Sequence, residues 1–385
     1  MSDKPASAPC VAFCSNTLRY LWNFRRGTIE RFLADGVRVL CIGQAGPGAA
    51  ELADLGCEVV ALDWRLRSLD PVHEAGVVLQ VWTALRRARP AVVFSFTFKA
   101  NFAVSLACLP LRTPYVTNVS GLGTAFLSER PAHRAVRRLY GFANGRAHAT
   151  FFQNPSDLAY FERTGLSTGR RTAILPGSGV DTDHFAFDPL DRPVRTFVMI
   201  ARLIRDKGVM EYLEAARRAR AARPDLRFLL VGPPETDGPG RIPVETVHAF
   251  ADSVEYFGEM ADVRPILRGS ECLVLPSYRE GMPRTVLEAA SMGRVALVSD
   301  VEGCRDAVDK DVTGFLFAVR SVDALTEAML MVSRRDSREI SAMSAAANRL
   351  AVERFSERLC IEPYVALFAL VSASGSGGGS TGSTR

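Results

Sequence analysis

The chain has 385 residues, and at roughly 150 residues per domain that length predicts two or three domains. Hydrophobic residues make up 48% and charged residues 23%, the balance of a packed globular protein, which excludes a largely disordered chain. Lys+Arg 47 against Asp+Glu 42 leaves +5, too slight an excess to imply nucleic acid, which calls for a dense basic face.

The start, MSDKPASAPCVAF, lacks a basic segment followed by a long apolar core, so it does not read as a signal peptide. The best apolar run, Phe102 to Leu111, falls far short of the roughly 18 residues that span a bilayer. The eight cysteines are scattered without a CxxC pair, and Cys10, Cys14, Cys41 and Cys57 lie in or beside strand-like stretches. They read as reduced, buried thiols of a cytosolic protein, and with the dispersed histidines they give no metal site. Basic residues are nearly all Arg; the only lysines are Lys4, Lys99, Lys207 and Lys310.

Strands are predicted at residues 10–14, 37–42, 58–62, 91–96, 115–119 and 148–152. They resume at 196–201, 227–231, 254–257, 272–275, 295–298 and 315–318. Helix-length segments separate them, which means βαβ units and parallel sheets, and runs such as VRVLCI and RFLLV are apolar on both faces, as strands covered on both sides must be. The Pro-rich FDPLDRPV, Phe187 to Val194, reads as an interdomain linker, dividing the chain into domains 1–190 and 191–371 with a cleft between them as the ligand site. A last helical pattern, Ser341 to Leu370, is expected to kink or break at Pro363. Residues 372–385, SASGSGGGSTGSTR, read as a Gly/Ser linker or tag remnant.

Gly43-Gln-Ala-Gly46-Pro-Gly48 follows a strand, opens a helix and precedes Asp63, an arrangement that invites an NAD-dependent oxidoreductase. The spacing is GxxGxG rather than GxGxxG, and Pro47 stands where amides should face phosphate. A tight strand-to-helix turn is the better reading.

In the second half, PSYREGMPRTVLEAASMG places Pro283 at a first helical position and Gly293 past the end, bracketing a helix of about ten residues. The amides of Arg284, Thr285 and Val286 would point out at the carboxyl edge of a sheet, an end that binds phosphate. Glu280 and Glu288 form an E-x7-E pair. Carboxylates so close to an anion are repelled unless they bind hydroxyls, which a nucleotide-sugar supplies on its hexose and ribose; the alternative is a solvated helix face. Arg202 and Lys207, in ARLIRDKG, sit at the carboxyl end of that domain's first strand, where they could neutralise a diphosphate leaving group. The plainer alternative there is a basic loop.

ARLIRDKG, SYREGMPRTVLEAASMG, DVEGCRDAV and GSGVDTDHF together resemble glycosyltransferase family 4 over essentially the whole chain before the tail. RLRSLDP and FTFKANFAVSLACLPLRTPYVTNVSGLGTAF further resemble bacterial N-acetylgalactosaminyltransferases that extend polyprenyl-diphosphate-linked glycans. The resemblance implies the GT-B fold, α/β with two Rossmann-like parallel-sheet domains facing a central cleft. It implies that Arg202 and Lys207 hold the donor diphosphate and that Glu280 binds the donor sugar beside the backbone of Gly281, Met282 and Pro283. Glu288 would take the ribose, the amides of Thr285 and Val286 the phosphate, and Phe257 and Gly258 the uracil. Many members place a histidine against the donor sugar; none falls in the corresponding region here, and Asn118 is the substitute candidate. Lys99 and Asn101, in the loop after AVVFSF, are candidates for an acceptor diphosphate, with loop polarity the alternative.

The implied reaction is retaining, with no covalent intermediate, cofactor or metal. It moves a hexose or N-acetylhexosamine, GalNAc first, from a UDP-sugar to a polyprenyl-diphosphate-linked sugar. Such an acceptor requires a membrane surface, which places the protein on the inner face of the cell membrane. Glu129 to Arg146, with Arg130, Arg134, Arg137, Arg138 and Arg146 among Val136, Leu139, Tyr140 and Phe142, reads either as an interfacial helix or as a helix packed on the first sheet. Other readings are a transferase for another UDP-sugar or acceptor in polysaccharide synthesis, a nucleotide-sugar 2-epimerase and an inactive scaffold, against which the intact Glu280, Glu288, Arg202 and Lys207 argue.

Overall fold

A computed structural model describes residues 8–65, 70–121, 131–166, 168–235, 238 and 240–376. The chain forms two compact units, one of residues 1–178 with 358–385, the other of residues 179–357.

The first unit begins with β1 (Cys10–Thr17), α1 (Leu18–Ala34), β2 (Arg38–Gln44), α2 (Ala49–Asp54), β3 (Glu58–Leu62), α3 (Pro71–Ala88) and β4 (Val92–Phe96). It continues with α4 (Phe98–Leu111), β5 (Tyr115–Val119), α5 (Pro131–Asn144), β6 (Ala149–Phe152), α6 (Pro155–Thr164) and β7 (Thr172–Ile174). The second begins with β8 (Thr196–Ile200), α7 (Val209–Ala222), β9 (Arg227–Val231), α8 (Val244–His248), β10 (Glu255–Tyr256) and α9 (Arg264–Arg268). Then come β11 (Cys272–Leu275), α10 (Arg284–Ser291), β12 (Val295–Ser299), β13 (Gly314–Phe317), α11 (Val322–Ser333) and α12 (Ser337–Phe355). The last helix, α13 (Glu357–Ser376), returns to the first unit.

The strand orders are β3-β2-β1-β4-β5-β6-β7 and β10-β9-β8-β11-β12-β13. Neighbouring strands pair in parallel throughout both sheets. Burial explains why. In β8, Phe197 and Met199 enter one core while Val198 and Ile200 enter the other, so both faces of the sheet are covered and the strand has no polar side. In β1, Val11 and Phe13 likewise face one core and Ala12 and Cys14 the opposite one. All eight cysteines are buried, and none forms a disulfide.

Four expectations give way. The segment 187–194 is no linker: the units part after Ser178, and Leu190 and Val194 are buried in the second unit's core. Arg192 pairs with Glu271 at 2.7 Å, and fully buried Arg294 pairs with Asp188 at 3.0 Å, fixing the stretch by charges that a composition reading takes for solvation. The helical pattern breaks at Ser356 rather than at Pro363, which sits inside α13. The cause is tertiary: Val180 N–H donates to Phe355 O at 2.8 Å and Glu357 N–H to Val180 O at 2.9 Å, opening the chain there. The second domain therefore ends near 357, not 371, and α13 extends to Ser376, past the expected tail boundary at 372. Tyr364 of α13 packs edge-on against Phe94 at 5.0 Å and Phe151 at 5.4 Å, which is what makes the helix part of the first unit.

Candidate active site

In the second sheet the order reverses between β8 and β11: the chain leaves β8 towards β9 and leaves β11 towards β12. The loops after those two strands diverge, and the crevice between them at the carboxyl edge is where open α/β sheets bind ligands. Arg202 and Lys207 stand on the first of these loops, Glu280 to Pro283 on the second.

The two loops are joined at several points. Gly208, at φ +71, lies so close to the Pro276 carbonyl that any Cβ would collide with it. Tyr278 N–H donates to Asp206 O at 2.8 Å, and the Tyr278 hydroxyl donates to Glu211 Oε1 at 2.6 Å. Lys207 Nζ then meets Glu280 Oε1 at 2.5 Å, both side chains largely shielded. The ammonium is thus held at the crevice with N–H directions to spare, beside a carboxylate that takes hydroxyl donors. Arg202, exposed, reaches Glu235 at 2.9 Å.

Beyond Glu280 the helix α10 starts with no side-chain cap from its N-cap residue. Pro283 is the N-cap, one position earlier than expected, and the helix has eight residues rather than about ten. The Val286 amide is spoken for: it donates to Pro283 O at 3.0 Å, the tight bond of a first turn, so it is not free to meet phosphate as expected. Glu288 is buried and pairs with Arg284 Nε at 2.8 Å. Burial pushes its carboxyl above the ordinary glutamate range, with Arg284 opposing. Met282 packs against the core beneath the loop. Phe257, half exposed, and Gly258 follow β10 at the same carboxyl edge, and Gly258 O accepts from Gly232 N–H at 2.8 Å.

Sequence reasoning missed Gly303. A Cβ there would fall 2.5 Å from Glu280 O and 2.6 Å from Gly281 O, so only glycine lets the 302–304 turn lie under the loop. The signal was present in DVEGCRDAV, a glycine in a turn after a strand. Tyr278 and Glu211 were also missed.

In the first unit the candidate residues are committed elsewhere. Asn101 is not in a loop: it is buried in the first turn of α4, donating to Asn118 O at 2.9 Å and Tyr140 Oη at 2.8 Å while accepting from Ser95 Oγ at 2.8 Å. Asn118 is buried too, with Nδ2 on Ser95 O at 3.0 Å and Oδ1 accepting from Tyr364 Oη at 2.5 Å. Both side chains tie β4, β5 and their helices together, which leaves little to offer a ligand. Lys99, also on α4, is paired with Glu74 at 2.6 Å and bound to Arg65 O. Just before α4 stands Thr97, at φ +75, a backbone state that a β-branched residue rarely enters, with its hydroxyl buried and unpartnered. It follows β4 at the reversal point of the first sheet.

The Gly43–Gly48 turn is structural. Gly48 N–H donates to Glu51 Oε2 at 3.0 Å, so a carboxylate fills the place a pyrophosphate would need, and Gly43 and Gly48 pack on the backbone of residues 15–19.

The family profile described as Glycosyl transferase 4-like domain matches residues 20–177, and that of Glycosyl transferases group 1 matches residues 194–334. The chain belongs to these glycosyltransferases. The transferase is 25% identical over 377 residues to the N,N'-diacetylbacillosaminyl-diphospho-undecaprenol alpha-1,3-N-acetylgalactosaminyltransferase of Campylobacter jejuni, covering 93% of this chain and 98% of that one. It is 29% identical over 187 residues to the UDP-Gal:alpha-D-GlcNAc-diphosphoundecaprenol alpha-1,3-galactosyltransferase of Escherichia coli, covering 45% and 48%. Its fold is the GT-B fold of solved relatives. Sucrose-phosphate synthase from Thermosynechococcus elongatus superposes with TM-score 0.77 at 16% identity, over 95% of this chain and 100% of that one. HepE from Anabaena, in complex with UDP, gives TM-score 0.74 at 18% identity, over 94% and 99%. Among the described residues of the transferase no helix is long and apolar enough to cross a membrane.

Proposed function

We propose that this glycosyltransferase moves a hexose or N-acetylhexosamine, GalNAc first, from a UDP-sugar to a polyprenyl-diphosphate-linked sugar with retention at the anomeric carbon. What carries the reading is the meeting of Lys207 with Glu280 at the strand-order reversal, over the uncapped start of α10. Likeness along nearly the whole chain to a transferase named for an undecaprenyl-linked acceptor supports the substrate class.

Lys207 and Arg202 take the donor diphosphate, Glu280 a hydroxyl of its sugar and Glu288 the ribose, with the amide of Thr285 towards phosphate and Phe257 and Gly258 beside the uracil. As the bond from C1 to the β-phosphate oxygen breaks, that oxygen takes the proton of the acceptor hydroxyl, which bonds to C1 on the same face. Positioning and charge stabilisation do the catalytic work. The guanidinium, the ammonium and the helix start supply the positive charge the departing UDP requires, so we read the reaction as independent of a metal ion.

For the membrane, α5 supports contact from one side. Tyr140 is buried, while Leu139 and Phe142 are exposed near Arg137, Arg138 and Arg146, and Arg146 lies over the Phe142 ring at 3.6 Å. A helix that leaves apolar and cationic groups outward suits an anionic lipid surface on the inner face of the cell membrane. Arg130 and the side chains of Arg134 and Val136 lie outside the described residues.

The test is a thermal-shift series with UDP, GDP, ADP and NAD on the wild type, Lys207→Ala and Glu280→Ala. Selective stabilisation by UDP that disappears in Lys207→Ala is expected, followed by UDP-sugar turnover on polyprenyl-diphosphate acceptors. Stabilisation by NAD and not UDP would overturn the reading.

A further inference from the structure

We propose a second anion site in the first unit, on the amino-terminal edge of its sheet: a cradle of arginines for a compact anion that carries two or more phosphate groups. The cavity there measures about 600 Å³ and is lined by Pro9, Arg38, Arg86, Arg87 and Arg89 among others. That volume lies within the range of small-molecule sites.

Parallel pairing builds it. β1, β2 and β4 run the same way, so all three begin on one edge. Arg38 N–H donates to Pro9 O at 2.9 Å and Ala91 N–H to Cys10 O at 2.8 Å, which sets the three strand starts side by side. Helix α3 ends over the same edge and delivers Arg86 and Arg87 in its last turn, followed by Arg89 as its cap at φ 49.

Four guanidiniums gather here, and among the described residues no acidic one lines the cavity. Arg38 is paired with Glu58 at 2.6 Å, and Arg86 lies 5.0 Å over the Trp82 ring. Arg86 and Arg87 complement the negative end of the α3 dipole. Arg38 comes from another element, and Arg89 holds a left-handed cap position that glycine takes by default, so the helix requires neither. Guanidinium forks match phosphate oxygens in pairs, and like charges collected in a concavity favour an anion of high charge density. Clustered phosphate occurs both in soluble polyphosphates and nucleotides and in phosphorylated lipid headgroups; the recognition chemistry is shared. The site lies in a different unit from Lys207 and Glu280 and does not depend on the transferase reading.

Inorganic tripolyphosphate is the probe, titrated calorimetrically at physiological salt into the full chain carrying Arg202→Ala and Lys207→Ala, so that the donor site does not compete. Binding is expected, weakened roughly tenfold or more by adding Arg86→Glu, Arg87→Glu and Arg89→Glu. The milder Arg86→Gln/Arg89→Gln protein, with an unchanged melting temperature, should also bind more weakly, which separates lost contacts from lost fold. Flotation with vesicles of cardiolipin, whose headgroup carries two phosphates, runs in parallel: arginine-dependent vesicle binding without tripolyphosphate binding assigns the phosphates to a lipid headgroup, and the converse to a soluble ligand. If neither probe distinguishes the arginine variants from their parent, the proposal is overturned.

Discussion

The Tyr278 hydroxyl donates to Glu211 Oε1 across 2.6 Å, and this bond ties the loop that bears Glu280 to the helix that begins two residues after Lys207. Burial pushes the Tyr278 phenol up to about 12, so it remains a donor throughout the neutral range. Arg320 lies 4.4 Å over the ring. The Lys207–Glu280 contact is therefore positioned from behind by residues that need not touch substrate.

Tyr278→Phe removes that tie while keeping the ring. Glu211 Oε2 is already buried without a partner, so losing the hydroxyl strands the whole carboxylate. Urea unfolding should show a loss of about 1–3 kcal/mol. Donor KM should rise with it; an unchanged KM would reduce Tyr278 to a purely structural part.

Gly303→Ala tests the floor of the loop. Its Cβ would fall 2.5 Å from Glu280 O at a backbone angle that already disfavours a side chain, so the loop must move. Transfer activity should fall by about 10²-fold, the scale for misplacing a group near the reaction, while far-UV circular dichroism stays native. Activity within a factor of about two of wild type would mean that Glu280 need not be held so closely.

Glu288→Gln reports on a buried carboxyl. Burial holds the Glu288 pKa above its ordinary 4.5, so over a window that opens there the native chain keeps a proton the unfolded chain has released. Wild-type stability must then fall as pH climbs through that window, relative to the glutamine variant, which has nothing to titrate. Urea unfolding of both proteins between about pH 4 and about pH 7 should show the difference, wild type minus variant, declining. A difference that grows with pH would contradict the burial argument.

Thr97→Gly should raise or leave unchanged the melting temperature, because glycine adopts φ +75 freely and removes a buried hydroxyl that has no partner. The usual entropic penalty of glycine is about 0.5–1 kcal/mol, below the strain of about 1–3 kcal/mol it relieves. A clear drop in melting temperature would show that the threonine is comfortable where it stands.

The sheets were readable from sequence because buried parallel strands such as RFLLV carry no polar face to confuse them. Thr172–Ile174 escaped notice as a three-residue edge strand with little burial to pattern it. The places of Lys207, Glu280 and Glu288 in the fold were legible because motif spacing puts them on the loops after two strands and on one helix. Asn101 and Asn118 were not, since nothing local tells an amide that faces a ligand from one that bridges Ser95 and Tyr364. The break at Ser356 was hidden for the same reason: its cause is Val180, far away in the chain.

The return of α13 to the first unit has a consequence for how the protein is made. Residues of α13, Tyr364, Leu367, Phe368 and Val371 among them, complete a core whose other members precede 178. On the ribosome those earlier strands emerge long before their last packing partner, and the entire second unit is synthesised in the interval. The second unit, continuous in sequence, can close as soon as it has emerged, whereas the first must wait until α13 has been made, with Phe94 and Phe151 uncovered by Tyr364. Of the two units, the one that is begun first is the one that finishes folding last.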